Sequence, residues 1–337
     1  MTRFSVFLPV RNGWPYVREC VASILAQSYP ELELHVLDNQ SSDRTLEWLY
    51  SVRDPRLHVS TSDTSLSIVG SWARVLACPK QEYMTLIGHD DLLDRDFLAT
   101  TKALIERFPD AALYQTGSRL INAEGGRIRA CPKAPDRETP SDYLNARFSF
   151  DRDIFGTGYV MRSADYDRVG GIPPFERLFF ADDALWLSLM RGSYKAYDPT
   201  ESFAVRIHPK SESASLPSAW SPILLGLNQF TAFLREYTAG DPESAEVFAT
   251  RGGDFLLTYH RNVYIYALLE ASQAGRRIDA AVVRQIEQSL KRDAPAVAGR
   301  LRGSPKVLAL ATLNASPLRG LINGLWQLYC ALKSRSS

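Results

Sequence analysis

The sequence predicts an α/β domain built on a mostly parallel sheet flanked by helices, followed by a helical C-terminal region. Three observations carry this. Over the first hundred or so residues, short apolar runs alternate with segments of helical period. Polar and acidic clusters sit where the apolar runs end, and the last third of the chain is helical in pattern throughout.

The elements follow in order. "FSVFLPV" (4–10) reads as a strand and "WPYVRECVASILAQ" (14–27) as a helix, with Val17, Val21, Ile24 and Leu25 on one face. "LELHVLD" (32–38) is a second strand, and "SSDRTLEWLYSV" (41–52) a helix whose start carries Ser and Asp caps. "RLHVS" (56–60), "SIVGSWARVLA" (67–77) and "EYMTLIG" (82–88) continue as strand, helix and strand. The helix "RDFLATTKALIERF" (95–108), the strand "AALYQTGSRLI" (111–121) and a Gly-rich turn at "NAEGGR" come next. Residues 130–155 are polar and Pro-containing without a clean period, which predicts a long loop able to order over a ligand. "FFADDALWLSLMRG" (179–192) is a helix with acids at its start. A domain boundary is expected near "HPKSESASLPSA", giving domains over 1–215 and 216–337.

Composition narrows the function classes. Among 337 residues, Lys plus Arg (39) nearly balance Asp plus Glu (38), so no global field favours a nucleic-acid partner. Cys20, Cys78, Cys131 and Cys330 show neither paired metal spacing nor a disulfide framework, which suits free thiols in a reducing compartment. The N-terminal apolar run is too short for a signal-peptide core, and no run of about 18 apolar residues occurs. A cytoplasmic protein is therefore expected, peripheral to a membrane at most.

In open α/β sheets, ligands bind outside the carboxyl ends of the strands. Those ends read "PVRNG" (9–13), "LDNQSSD" (37–43) and "GHDD" (88–91), so two polar clusters and an acidic pair converge on one edge. Neither G-x-G-x-x-G after the first strand nor G-x-x-x-x-G-K-[ST] is present, so a phosphate needs another partner. Adjacent carboxylates at a dry strand end repel unless a cation sits beside them. Magnesium or manganese fits, since each combines one or two carboxylates with water and substrate phosphates.

These residues resemble family 2 glycosyltransferases. "SVFLPVRNGWPYVRECVASILAQSYPELELHVLDNQSSDRT" follows the family's opening, and "EYMTLIGHDDLLDRDFL" resembles its metal-binding acidic block. "VGGIPPFERLFFADDALWLSL" is similar to the Gly-Gly turn and catalytic acid, and "VRIHPKSES" to the closing Arg-x-His segment. The resemblance covers residues 4–215 and implies a GT-A fold, a nucleotide-diphosphate sugar donor and inversion at the anomeric carbon. It implies that Pro9, Arg11, Asn12, Asp38 and Asn39 line the nucleotide pocket. Asp90 and Asp91 would meet ribose, diphosphate and metal, with Asp91 the direct ligand and His208 an additional contact. Setting Trp186 in register puts the base at Asp182, and counting the acids as a shortened Glu-Asp puts it at Asp183. Intact register with Leu185, Trp186 and Leu189 favours Asp182.

Departures from the family are informative. Where many relatives carry an acid before the pair, this chain has Gly88, and Ser188 stands where an arginine is frequent. Asn39 stands where a second acid is common, and its amide oxygen is able to accept the imide proton of uracil or thymine, so a UDP or dTDP donor is favoured but the base preference is softened. The plainer readings are that Asp182 or Asp183 caps a helix, that Asp94 and Asp96 are helix-start charges, and that His35, His58 and His260 are structural.

The segment "SPLRGLINGLWQLYCALKSRSS" spaces Leu318, Leu321, Ile322, Leu325 and Leu328 helically with basic charges only. That suits an anionic membrane surface over 316–335, and equally packing on its own domain or on a second subunit of a homo-oligomer. The expected function is an inverting, metal-dependent glycosyltransferase acting on a glycan or lipid-linked acceptor in cell-surface polysaccharide assembly. A sugar-nucleotidyltransferase and a silent glycan-binding protein of the same fold are the alternatives.

Overall fold

The computed structural model describes residues 1–209 and 220–327. It divides into two compact units, Met1–His208 and Pro209–Ser337. The expected boundary at 215 falls outside the described residues.

In the first unit, strands β1 (Phe4–Val10), β2 (Leu32–Asp38), β3 (Leu57–Thr61) and β4 (Tyr83–Leu86) alternate with helices α1 (Tyr16–Leu25), α2 (Thr45–Ser51) and α3 (Ile68–Ala77). Then follow β5 (Leu92–Leu93), α4 (Phe97–Arg107), β6 (Leu113–Ile121), β7 (Arg127–Ala130), β8 (Arg137–Glu138), α5 (Pro140–Phe148), β9 (Tyr159–Arg162), α6 (Ser163–Arg168), α7 (Ala181–Met190) and β10 (Lys195–Arg206). The sheet order is β3-β2-β1-β4-β9-β6-β10-β5, with β7 on β6 and β8 on β10. β1, β2, β3 and β4 pair in parallel, whereas β9 runs antiparallel to both β4 and β6. Strand order reverses at β1, which therefore marks the switch-point crevice.

Every residue of β1 is buried, as a central strand covered on both faces requires. Val17, Cys20, Val21 and Ile24 of α1 join Phe4, Val6 and Leu8 in the core. Two local expectations change. No side chain caps α2, because Asp43 lies one residue too early and accepts from Thr45 N (2.9 Å) and Trp14 N (3.0 Å) instead. Asp94 is not a dipole charge but forms a two-point pair with Arg119, at 2.6 and 2.7 Å.

The expected long loop over 130–155 contains α5. Thr139 and Asp142 form a reciprocal capping box, with Pro140 in the first turn where its missing N–H costs nothing. This helix matters for the site below.

The second unit holds α8 (Trp220–Ala239), α9 (Pro242–Gln273), α10 (Ala280–Asp293), α11 (Pro295–Ala298) and α12 (Pro305–Ala315). Leu224, Leu227, Phe230 and Leu234 of α8 are fully buried, as are Phe255 and Val263 of α9 and Ile286 and Leu290 of α10. His260 is buried with both ring nitrogens engaged, by Leu256 O and Ser289 Oγ, and so is structural. Among the described residues no helix is long and apolar enough to cross a membrane. Cys20, Cys78 and Cys131 are free thiols, and Cys330 lies outside the described residues.

Candidate active site

The carboxyl ends of β1 and β2 are joined where Asn39 N donates to Val10 O (2.8 Å). Pro9 lies buried inside β1 opposite Leu37. Asn12 adopts a left-handed conformation (φ 53°), which asparagine tolerates better than most residues. Its Oδ1 accepts from Ser42 N (2.8 Å) and its N–H donates to Ser41 Oγ (2.9 Å). Asp38 is fully buried and accepts from Ser41 N (3.2 Å). Arg11 is exposed beside this turn, with no carboxylate partner among the described residues.

Asn39 does not fit its expected use. Its Oδ1 accepts from Leu66 N (2.8 Å) and Ser62 Oγ (3.3 Å), while Nδ2 donates to Leu66 O (2.9 Å). The amide is spent on holding the 62–66 loop, so it is not the reader of a nucleobase imide.

At the end of β4 the two carboxylates have different partners. Asp91 is buried, with Oδ1 accepting from Arg206 N (3.1 Å) and Oδ2 from Thr157 Oγ1 (3.1 Å). Burial, reinforced by the adjacent charge of Asp90, pushes the Asp91 carboxyl up to about 8. Asp90 has its side chain 18% exposed and Oδ2 lying 2.9 Å from His208 Nε2. Arg206 organises this corner. Its Nε donates to Asp90 O (2.8 Å), its Nη1 to Ala123 O (2.9 Å) and its Nη2 to Glu19 Oε2 (2.6 Å), and it stacks over Tyr16.

Gly88 lies against both carboxylates: a Cβ there would lie 2.9 Å from Asp90 Oδ1 and 3.1 Å from Asp91 Oδ2, so a larger residue would have to displace those side-chain oxygens. Gly13 is equally constrained, since a Cβ would meet Val10 at 2.7 Å and the His89 ring at 2.9 Å. The His89 ring thus packs against Gly13.

The second acidic pair opens α7. The helix is preceded by Phe180 in a left-handed conformation (φ 64°) and carries no side-chain cap, so neither Asp182 nor Asp183 serves as one. Asp183 is buried, accepting from Tyr143 Oη (2.8 Å) and Arg147 Nε (2.9 and 3.1 Å), both supplied by α5. Asp182 is half-buried. Burial and the neighbouring Asp183 carboxylate push its carboxyl up to about 7, while the Arg147 guanidinium pulls the other way.

One short segment links the two pairs. A Cβ at Gly156 would lie 3.6 Å from Asp182 Cβ, the next residue, Thr157, donates to Asp91, and Gly158 N donates to Leu86 O (3.1 Å). Trp186 Nε1 donates to Phe155 O (3.2 Å), fixing α7 to the same segment, and the Trp186 ring is core stacked on Tyr159. The structure therefore brings Asp91 and Asp182 to residues 156–157, while Asp90, next to Asp91, pairs with His208. Arg206, Thr157, Tyr143 and Arg147 did not follow from sequence reasoning. Only Arg206 lay in a motif, the Arg-x-His pattern, and the capping box at 139–142 was a signal for the helix that carries the last two.

A family model described as Glycosyl transferase family 2 matches residues 5–157. A teichuronic acid biosynthesis glycosyltransferase, TuaG of Bacillus subtilis, is 28% identical over 203 residues, covering 59% of this chain and 77% of that protein. The poly(ribitol-phosphate) β-N-acetylglucosaminyltransferase TarS of Staphylococcus aureus is 28% identical over 156 residues, covering 44% of this chain and only 26% of that one. Among solved structures, TarS 1-349 in complex with UDP-GlcNAc superposes with a TM-score of 0.60 at 16% identity, covering 97% and 92% of the two chains. The mannosyltransferase PcManGT of Pyrobaculum calidifontis, in complex with GDP-Man and Mn2+, gives 0.52 at 16% identity, covering 96% and 87%. At such identities the superpositions speak for the fold, which is GT-A-like. Sequence match, fold and the order of the motifs along the first unit agree: this chain is a glycosyltransferase, similar over residues 5–157 to glycosyl transferase family 2.

Proposed function

We propose that the chain transfers a sugar, with inversion, from a nucleoside diphosphate donor to a hydroxyl of a glycan or lipid-linked acceptor in cell-surface polysaccharide assembly. The observation that carries the mechanism is the half-buried Asp182 carboxyl. Among the described residues no side-chain hydrogen bond ties it, its pKa is raised to about 7, and it lies against Gly156, whose neighbour Thr157 binds Asp91.

Asp182 is the base. It takes the acceptor hydroxyl proton as that oxygen attacks the anomeric carbon from the face opposite the diphosphate, and a single displacement inverts the centre. A base whose pKa lies near the working pH supplies about 10² to 10⁴ in rate. Asp183 is the anchor, held by Tyr143 and Arg147, and it fixes the first turn of α7 so that Asp182 cannot swing away. Arg11 meets the nucleotide's phosphates at the end of β1, with Asn12 and Asp38 shaping the turns around it.

A divalent metal, manganese or magnesium, fits the residues present. Among the described residues no three His, Cys, Asp or Glu side chains form a ready cage. A carboxylate oxygen and an imidazole nitrogen do meet at Asp90 and His208, and diphosphate and water can complete the shell. The ligand role thus passes from Asp91, whose two oxygens are already engaged, to Asp90. When bound, the ion would stabilise negative charge on the departing diphosphate. With the Asn39 amide closed, preference for a UDP-type donor is supported by the likeness to TarS holding UDP-GlcNAc, and a polymeric glycan product by the teichuronic acid biosynthesis in TuaG's name.

A panel of nucleotide sugars, each with and without manganese, tests the proposal by thermal shift and by release of nucleoside diphosphate. One donor should raise Tm in the presence of manganese by mass action and be consumed by wild type. Asp182→Asn should keep the Tm shift and lose consumption. A wild-type protein that binds donors without ever releasing nucleoside diphosphate overturns the proposal.

A further inference from the structure

The end of the described chain has two faces. After α12, a 3₁₀ turn (Pro317–Leu321) runs into helical residues 322–327. Ile322 is fully buried and docks the segment on the second unit. On the other side Leu318 (58% exposed), Leu321 (56%) and Leu325 (51%) recur at i, i+3 and i+7 and so form one stripe. Leu308 of α12, 61% exposed, is a further large apolar side chain left in solvent by this part of the chain. Isolated exposed leucines are ordinary, whereas an aligned set marks an interaction surface.

Charge selects the partner. From Ala294 to Ser337 the sequence contains no Asp or Glu, and it carries Arg300, Arg302, Lys306, Arg319, Lys333 and Arg335. Arg300 and Arg302 pair with Asp254 and Glu287 of earlier helices. Arg319, next to Leu318, donates to Asn314 O and has no carboxylate partner among the described residues. A second copy would set this acid-free, basic segment against its own like charge if the stripes met face to face. An anionic phospholipid surface offers apolar depth for the leucines and negative headgroups for the cations.

We propose that the leucine stripe Leu318, Leu321 and Leu325, with Arg319, seats the second unit on an anionic lipid surface. The half-buried Trp326 lies within the same stretch, and its amphipathic ring suits the headgroup level. Because Ile322 anchors the segment from behind, the stripe is presented without unfolding the helices beneath it. This surface is independent of the donor site and of the proposed reaction.

Flotation of the full chain with phosphatidylglycerol vesicles, against phosphatidylcholine vesicles, tests it. Wild type should partition onto the anionic vesicles and lose binding as salt rises. The triple variant Leu318→Ser, Leu321→Ser, Leu325→Ser should bind at least about tenfold more weakly, and Arg319→Glu about fivefold more weakly. Unchanged circular dichroism and donor consumption in both variants would show that the fold persists. Equal partition of wild type and triple variant overturns the proposal. So does a wild-type dimer in sedimentation velocity that the triple variant converts to monomer with vesicle binding unaltered, since the stripe would then belong to a second copy.

Discussion

The two acidic doublets, Asp90–Asp91 and Asp182–Asp183, share a plan and differ in one respect. In each, one carboxylate turns inward and is bound, while its neighbour stays partly open. The inward member of the second doublet meets a guanidinium, Arg147, at 2.9 Å. The inward member of the first meets only a hydroxyl and a backbone N–H, because Arg206 spends its guanidinium on Asp90 O, Ala123 O and Glu19. The raised pKa therefore falls on the bound member of one pair, Asp91, and on the open member of the other, Asp182. A carboxylate beside its own cation leaves its neighbour free for proton transfer, whereas a doublet without one is an acceptor for positive charge.

The sharpest way to separate the roles is to neutralise each open carboxylate. Asp182→Asn should lower kcat by about 10² to 10⁴ with donor KM nearly unchanged, read by nucleoside diphosphate release with acceptor present. It should also stabilise the protein at pH 8, on the order of 1 kcal/mol in urea unfolding, by removing a poorly solvated charge. Asp90→Asn should lower manganese-dependent activity by about 10-fold to 100-fold and abolish the manganese-dependent part of the donor thermal shift. If Asp91→Asn has the larger effect on that shift, the two members of the first doublet have been assigned the wrong way round.

Next in size are the buried partners. Arg147→Met leaves Asp183 as an uncompensated buried charge and should cost about 3 to 5 kcal/mol in urea unfolding. In whatever fraction remains folded, the acid limb of the pH–rate profile should move upward, since the cation that lowers the Asp182 pKa is gone. The wild-type profile carries its own test: kcat should rise with pH through about 7, because Asp182 must be deprotonated to act. The linkage has the opposite sign for stability. A carboxyl raised in the folded state stabilises below its unfolded pKa, and that contribution is lost as pH climbs through about 7, so donor-free protein should weaken between pH 5 and 8. A pH-independent rate across that range, with chemistry rate-limiting, would remove Asp182 as base.

The smallest effect is expected at Asn39. Asn39→Ala frees Leu66 N and O and should cost about 1 to 2 kcal/mol of stability. Donor KM should rise more than kcat falls, because the 62–66 loop is tied to the β2 end, where Ser62 N donates to Asp38 O.

Much of this fold could be read along the chain, since β1 and β2 are strongly apolar and each ends in a polar cluster at the switch point. What could not be read was decided at long range. Which of two adjacent aspartates turns inward depends on Thr157, 66 positions from Asp91, and on Tyr143 and Arg147, 40 and 36 positions from Asp183. No spacing rule carries that. The helix α5 was hidden by its Pro-rich approach and weak amphipathicity, though its capping box stands plainly at 139–142. Asn39 misled for another reason: its residue type fits a base-reading role, and only the closeness of the 62–66 loop shows the amide already taken.

Gly88 has a consequence for how the site comes into being. A side chain at position 88 would displace the carboxylate oxygens of Asp90 and Asp91, and the imidazole that meets Asp90 comes from His208, 118 positions downstream of that aspartate. A nascent chain emerging from the ribosome carries its aspartates early and the histidine only when the first unit is all but complete. The pairing of Asp90 with His208 thus marks closure of that unit, and the cation site proposed there would arrive with the last strand rather than with the acidic motif.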